Sequence, residues 1–553
     1  MRKTTLALLA GAALAVLVSA GPSNAQSALT GVVTSAEEGA MEGVLVTAKK
    51  DGASIAITVV TDAQGRYGFP AARLEPGHYT LRIRAVGYDL DGKPTADVAA
   101  GAAATADLKL KKARNVSAQL TNAKWIESVP GTPVQKDALF NCVGCHTLER
   151  IVKSTHDSDE FVQTMKRMSG YANQSLPVRP QVRKAQRLLE ERGAERDALF
   201  KKRADWLASI NLSEGQTWEY PLKTLPRPQG RATKVIITEY DLPRPLIEPH
   251  DVVVGSDGNV WYTNFGEENV GRLDPKTGKV TEYPLPELKK GWPQGSLGLR
   301  ADKAGNLWIG MMYQGAIGRI DPKTGKVTTY PLPPEMNKDM AQVNMVRAES
   351  SAVDGRVWTQ NNGFAAIHRL DLASGNIETI APFKDAKPGE NHNIYDVVPD
   401  SQNNLYFTDF AREHVGRVDA KTLKVTLYEL PTKKSAPRRG MMDAQDHMWF
   451  GEYRGNRIAM FDTKSEKFTE WQLPLKWSAP YDVTVDKNGE AWTGSMMNDR
   501  VTRLDPKTGT FVNYLLPRET NIRRVFVDNS TTPVTFWVGN NHGGSIVKVE
   551  PLD

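Results

Sequence analysis

Cysteine is almost missing from this chain: among 553 residues only Cys142 and Cys145 occur. No disulfide framework beyond that pair can staple the fold, so its stability must rest on large apolar cores. Long apolar runs are missing too. After the first twenty residues no stretch is long and apolar enough to cross a bilayer, so a membrane-spanning chain is not expected. A strong excess of one charge is likewise absent. The 70 basic and 64 acidic residues leave a formal charge of +6, and the basic ones are spread through turns without forming a stripe, so nucleic acid is not an expected partner. There is no Gly-rich dinucleotide loop and no second cysteine pair, which removes the usual signatures of a nucleotide cofactor or a second redox centre. What is present is ordinary for folded protein, 40% hydrophobic and 24% charged, at a length that suggests roughly three or four units.

The two cysteines stand in the pentapeptide CVGCH, Cys142 to His146. C-x-x-C-H is the attachment signature of a c-type haem, in which two thiols form thioethers with the porphyrin and the adjacent imidazole becomes the proximal iron ligand. A zinc site would need two further ligands at metal spacing, and a thioredoxin-type pair should sit where a strand runs into a helix. Neither context surrounds this motif. The N-terminus is consistent with haem attachment outside the cytoplasm. Arg2 and Lys3 precede an apolar run from Leu6 to Ala20, and Ser23-Asn24-Ala25 offers a cleavage site, so residues 1–25 read as a secretory signal and the mature chain is expected in the periplasm.

Residues 26–112 alternate short β-type runs with turns, as an antiparallel sandwich does. The TDAQGRYGF segment at Thr61 to Phe69 and LEPGHYTLRIRAVGY at Leu74 to Tyr88 resemble the carboxypeptidase regulatory-like family, an immunoglobulin-like sandwich also described as a carbohydrate-binding-like fold. That resemblance implies little about activity, and without a cluster of exposed aromatics to stack on a sugar ring a spacer or docking module is expected over sugar binding. Residues 113–133 read as a linker.

Residues 134–213 carry the haem motif among helical patterns. Ser158 can cap a helix with Phe161, Met165 and Met168 on one face, and a closing helix runs from Ala194 to Ile210. This layout resembles a small class I-like cytochrome c. His146 is the expected proximal ligand. Met168, where the helix runs out into Ser169-Gly170, is the expected distal ligand, with Met165 and His156 as alternatives.

Beyond a second linker at 214–233, residues 234–553 repeat. The markers VWYTN, LWIGM, VWTQN, LYFTD, MWFGE, AWTGS and FWVGN, at Trp261, Trp308, Trp358, Tyr406, Trp449, Trp492 and Trp537, recur about every 43 to 50 residues. This is the spacing of four-stranded propeller blades. Seven markers predict seven blades, and VIITEYDLP at Val235 should complete the last one. The repeats, clearest in Glu248 to Pro286, resemble the virginiamycin B (streptogramin) lyase family, a seven-bladed propeller.

Repeat alignment predicts two rings of residues at one end of the channel. The first is His250, Gln294, Asn344, Tyr395, Arg439, Tyr481 and Arg523; the second is Asn264, Met311, Asn361, Asp409, Glu452, Ser495 and Asn540. The lyase resemblance implies a His and Glu constellation with magnesium, for which Glu452, His542 and His250 are the candidates and His392 lies near the same face. The expected fold is thus mainly β and multidomain, with an immunoglobulin-like sandwich, a small all-α cytochrome c domain and a seven-bladed propeller. The expected function is electron transfer by an exported haem c protein whose propeller binds a substrate or a redox partner protein, as an oxidoreductase in the stronger form. A streptogramin-lyase-like C–O lyase and a non-enzymatic cytochrome scaffold stay open.

Overall fold

In a computed structural model of the chain, which describes residues 27–183, 185, 193–212 and 220–553, every marker forms a strand of five or six residues. Aromatic and β-branched residues bounded by turn formers favour such a buried, pleated segment. The leader read over 1–25 lies outside the described residues. Each marker strand is the second of four in an antiparallel blade. Blade one comprises Pro249–Val254, Val260–Asn264, Asn269–Leu273 and Val280–Pro284. Five more four-stranded sheets follow in chain order.

The marker tryptophans are fully buried, and several are pinned by an aspartate six residues earlier. Asp302, Asp443 and Asp486 accept from the indole N–H of Trp308, Trp449 and Trp492 at 2.8–3.0 Å. Asp274, Asp321 and Asp505 of the DPKTG turns accept from the backbone N–H two residues on and from the threonine hydroxyl, closing the outer hairpins.

Blade seven closes the ring as expected. Ile522–Asp528, Thr535–Asn540 and Ser545–Pro551 are completed by Val235–Asp241, in register from Val235 opposite Pro551 to Asp241 opposite Ser545. The sequence did not reveal what lies beyond. The outer edge of Val235–Asp241 pairs with Ile55–Val60 of the sandwich, Ile236 opposite Val59 and Tyr240 opposite Ile55. Blade seven and one sandwich sheet therefore form a single sheet of eight strands. The sandwich closes over its own core of Leu29, Val33, Val46, Phe69, Leu81 and Leu108, and Tyr67 and Phe69 face inward together as expected.

The segment between sandwich and propeller is helical. Asn122–Ser128 forms a helix inside the stretch 113–133 that reads as linker, because Ala123, Trp125 and Ile126 bury against the propeller and Thr121 caps its N-terminus. Pro133–Ala138 is a short helix closed by a Thr132/Gln135 capping box. Ser158–Met168 and Gly193–Ile210 pack on one another. Together these helices lie over the channel end of the propeller. Ala123 N–H donates to Met497 O, Trp477 Nε1 to Glu127, Gln174 to Gly295 O, and Phe140 packs edge-on to Tyr453. No described helix is long and apolar enough to cross a membrane.

Candidate functional site

A cavity of about 510 Å³ opens between the CVGCH turn and the helix Ser158–Met168. Its walls bring together every haem residue named from the sequence: Cys142, Cys145, His146, Met168, Met165 and His156. Both thiols are free, and burial pushes each up to about 11, so they stand protonated. The His146 ring binds through Nδ1 to Thr147 O at 2.9 Å. With the proton on Nδ1, the lone pair of Nε2 is left for a ligand. Burial holds this imidazole below its ordinary value, which keeps it neutral as metal ligation requires.

The two methionines differ. Met165 packs against the apolar core, whereas Met168 lines the cavity outside that cluster. His156 lies edge-on to Phe161 at 5.4 Å with Nδ1 3.7 Å from Glu160. The cavity also takes in Arg150, Arg167 and Arg203 and, among the described residues, no carboxylate, a suitable wall for an acidic planar ligand. Nothing in their local sequence marks these arginines.

Among the described residues no three His, Cys, Asp or Glu side chains converge as a metal ion would need. The donor set fits haem c: two thiols, a neutral imidazole with Nε2 available and a thioether share one apolar-walled cavity.

The channel end is arranged differently from the expected rings. A bulge in the inner strands, between Pro249 and Val252 in blade one and between Pro437 and Gly440 in blade five, adds a residue before the ladder resumes. Register therefore places Arg438, not Arg439, at the level of His250. In blade two, Leu299 opposite Ile309 corresponds to Val252 opposite Tyr262, so Leu297 takes that level and Gln294 lies in the preceding loop. Arg438 lies in a cage of aromatic rings, 3.8 Å from the Tyr481 centroid and 4.3 Å from that of Tyr453. One step deeper, Asp251 accepts two bonds from Arg439, both 2.8 Å, and lies 3.1 Å from Arg300. Burial works against the charge of Asp251, but the Arg439 guanidinium outweighs it and holds the carboxyl well below its usual range.

The second ring serves mainly to hold backbone. Asn264 accepts from Glu248, Gly266 and Glu267 N–H; Asp409 from Asn393 N–H; Ser495 from Met497 and Asn498 N–H; and Asn540 from Asn521 N–H. These polar residues are loop caps.

The three lyase candidates are each engaged separately. His250 is fully buried, with Nδ1 on Asp251 at 2.8 Å and Nε2 3.2 Å from the Tyr481 hydroxyl; burial, opposed by Asp251, pushes it down to about 3. Glu452 is buried with neither oxygen hydrogen-bonded, and burial together with the neighbouring Glu470 carboxyl pushes it up to about 9. His542 donates from Nε2 to Gly144 O, inside the CVGCH turn, at 3.2 Å. His392 stacks on Phe383 and bonds Asp409 at 2.6 Å.

Comparison with known proteins agrees with this architecture. The virginiamycin B lyase family matches residues 229–446 and 395–552, and the carboxypeptidase regulatory-like domain matches residues 28–111. Among solved structures, a streptogramin B lyase superposes with a TM-score of 0.50 at 23% identity, covering 58% of this chain and 99% of that one. The virginiamycin B lyase of Staphylococcus aureus gives 0.48 at 22% identity, covering 57% and 99%. No curated protein sequence matches the chain. At 23% identity the likeness to the streptogramin B lyase speaks for fold alone. With its propeller matched across more than half its length, the chain belongs to the virginiamycin B lyase family and carries an N-terminal carboxypeptidase regulatory-like domain.

Proposed function

We propose that the chain is an exported electron-transfer protein carrying one haem c, with the segment 134–213 acting as a small class I-like cytochrome seated on the propeller. The observation that carries this reading is the shared cavity: Cys142, Cys145, His146 and Met168, chosen from spacing, all line it. When bound, haem supplies one-electron chemistry at its iron. The protein's own residues do the rest. Cys142 and Cys145 offer the thiols for two thioether bonds, His146 presents Nε2 as proximal ligand while Thr147 O holds its other nitrogen, and Met168 offers a distal thioether. The helices Ser158–Met168 and Gly193–Ile210 wall the cavity from water. The electron source or sink is a redox partner protein or a small-molecule donor in the periplasm.

A magnesium-dependent C–O lyase is the competing reading, favoured by the family. The engagement of His250 with Asp251 and Tyr481, and of His542 with the CVGCH turn, weighs against it. The deciding experiment is expression with a haem-attachment system, followed by denaturing electrophoresis with peroxidase staining. Wild type should keep the stain after acid-acetone extraction, and Cys142→Ser/Cys145→Ser should lose it. A stain that is extracted from the wild type removes the haem c reading.

A further inference from the structure

Three side chains of blade seven reach across to two consecutive carbonyls inside the CVGCH turn. Asn521 Nδ2 donates to Val143 O at 3.0 Å, Arg523 Nη2 to Gly144 O at 2.8 Å, and His542 Nε2 to the same oxygen at 3.2 Å. Asn521 is fully buried and Arg523 is 5% exposed. Arg523 Nε is in turn held by Asn521 Oδ1 at 2.5 Å, and its guanidinium lies 5.7 Å from the Tyr481 ring and 6.0 Å from that of Phe265. The position of the guanidinium is thus fixed from two sides. Its carbonyl partner is two residues before the proposed proximal ligand.

We infer that Arg523 is a positioning residue through which the propeller raises the reduction potential of the haem seated at Cys142–His146. The inference rests on the haem c reading of that motif. Its physical basis is charge. A guanidinium keeps its proton in proteins, and the hydrogen bonds this one makes go to Asn521 Oδ1 and Gly144 O, neither of them a carboxylate. Among the titratable groups facing it, the Tyr481 hydroxyl is raised by burial but held below its ordinary value by Arg438, Arg523 and Arg439 together, so it is shared with two other guanidiniums. Glu248, buried with neither oxygen bonded, is held well above the usual carboxylate range by burial, which exceeds the pull of Arg523 and Arg179. Burial pushes His542 down to about 3 and so keeps it neutral. Cys145 carries no charge as a thioether. One uncompensated cation in a dry interface favours the oxidation state with one positive charge fewer. The donor set of the clamp also fixes the turn from which His146 projects, as outer-shell partners commonly do.

The test uses the full-length, haem-loaded protein and reads the midpoint potential by spectroelectrochemical titration at neutral pH, with haem content and melting temperature beside it. Arg523→Gln keeps a donor for Gly144 O and removes the charge, so its midpoint should shift below wild type. Arg523→Lys keeps the charge and should stay near wild type. A purely structural clamp would lower the melting temperature of both without separating their potentials. Equal midpoints for Arg523→Gln and wild type, or an equal fall in Arg523→Lys and Arg523→Gln, overturn the inference. Glu248→Gln gives an independent check should Arg523→Gln fail to fold. It should leave the midpoint unchanged, and a rise would show that a charged Glu248 compensates Arg523 and would overturn the inference. A wild-type protein without covalent haem overturns the haem reading itself, whereas haem-loaded variants of unchanged potential overturn only the role of Arg523.

Discussion

At the residue scale, CVGCH stands out because the residues of its proposed chemistry occupy five consecutive positions, and the cavity brings Met168, Met165 and His156 to the same walls. The partners of the turn were not legible: Asn521 and Arg523 stand almost four hundred residues away, and no local pattern links them to Val143 or Gly144. The choice between the two sulfurs can be argued further from packing. Met165 is committed to the core, so Met168→Ala should remove the weak near-infrared charge-transfer band of a methionine-ligated ferric haem, and Met165→Ala should keep it while lowering stability by roughly 2–5 kcal/mol or less, being only partly buried. Absence of the band in the wild type would make His156 the candidate.

Glu452 yields a pH prediction at the same scale. Folded, it holds its proton up to about pH 9; unfolded, it releases it near the ordinary value of 4.5. The native state therefore binds the extra proton between those limits, and the associated stability is fully present below about pH 4.5 and lost as pH rises toward 9. Glu452→Gln has no such dependence. Urea melts should find the two proteins alike at pH 5 and the variant more stable by at least about 1 kcal/mol at pH 9. A constant difference across that range would show that Glu452 is ionised in the fold.

At the element scale, the fourth letter of each marker explains how blades meet. Where it is glycine, the next blade's inner strand passes so close that a Cβ on Gly310 would lie 2.2 Å from Asn344 O, and one on Gly539 2.1 Å from Pro249 O. Where it is threonine or glutamine, the side chain instead donates to the neighbouring blade, Thr263 to Leu297 O, Gln360 to Tyr395 O and Thr408 to Arg438 O. These strands were legible from their period and turn residues. The rings were only partly legible, because the level of an inner-strand residue is set by its pairing with the marker strand: Pro437 opposite Glu452, as Pro249 is opposite Asn264, puts Arg438 level with His250, and Leu299 opposite Ile309, as Val252 is opposite Tyr262, puts Leu297 there in place of Gln294. The strand Val235–Asp241 closes the last blade and also carries the sandwich on its far edge. A chain starting at Leu246 loses both pairings and should aggregate or melt well below one starting near Gly230, which keeps the closure but bares the outer edge and the channel end that the helical segment covers. The Gly230 chain should in turn melt below the full protein. Equal melting of the full protein and the Gly230 chain would show that neither the eight-stranded sheet nor the helical cover adds to the stability of the propeller.

At the scale of the whole molecule, a string of independent modules was the natural reading of the sequence, since each segment carries its own pattern. The structure joins them. One continuous core runs from Leu120, Trp125, Ile126, Phe140 and Val143 of the helical segment into Phe265, Tyr313, Tyr453 and Tyr481 of the propeller. The stretch read as a linker supplies Trp125, which is 1% exposed, and so is part of that core. Charge ties the same interface: Arg179 bonds Glu268 at 2.7 Å and Arg454 pairs with Asp137. Surface pairs of this kind add little by themselves, about 0–1 kcal/mol each, so the shared apolar core must dominate the coupling. Units that bury one core between them unfold together, whereas tethered modules melt separately. Thermal unfolding of the haem-loaded protein, followed by the Soret band for the helical segment and by far-ultraviolet circular dichroism for the propeller, should therefore give coincident transitions. Trp125→Ala should lower both midpoints together, by an amount equivalent to about 3–5 kcal/mol. A Soret transition well below the β-sheet transition would mean that the haem segment leaves its seat while the propeller stays folded, and the blade-seven clamp on Val143 and Gly144 would then be too weak to act on the haem.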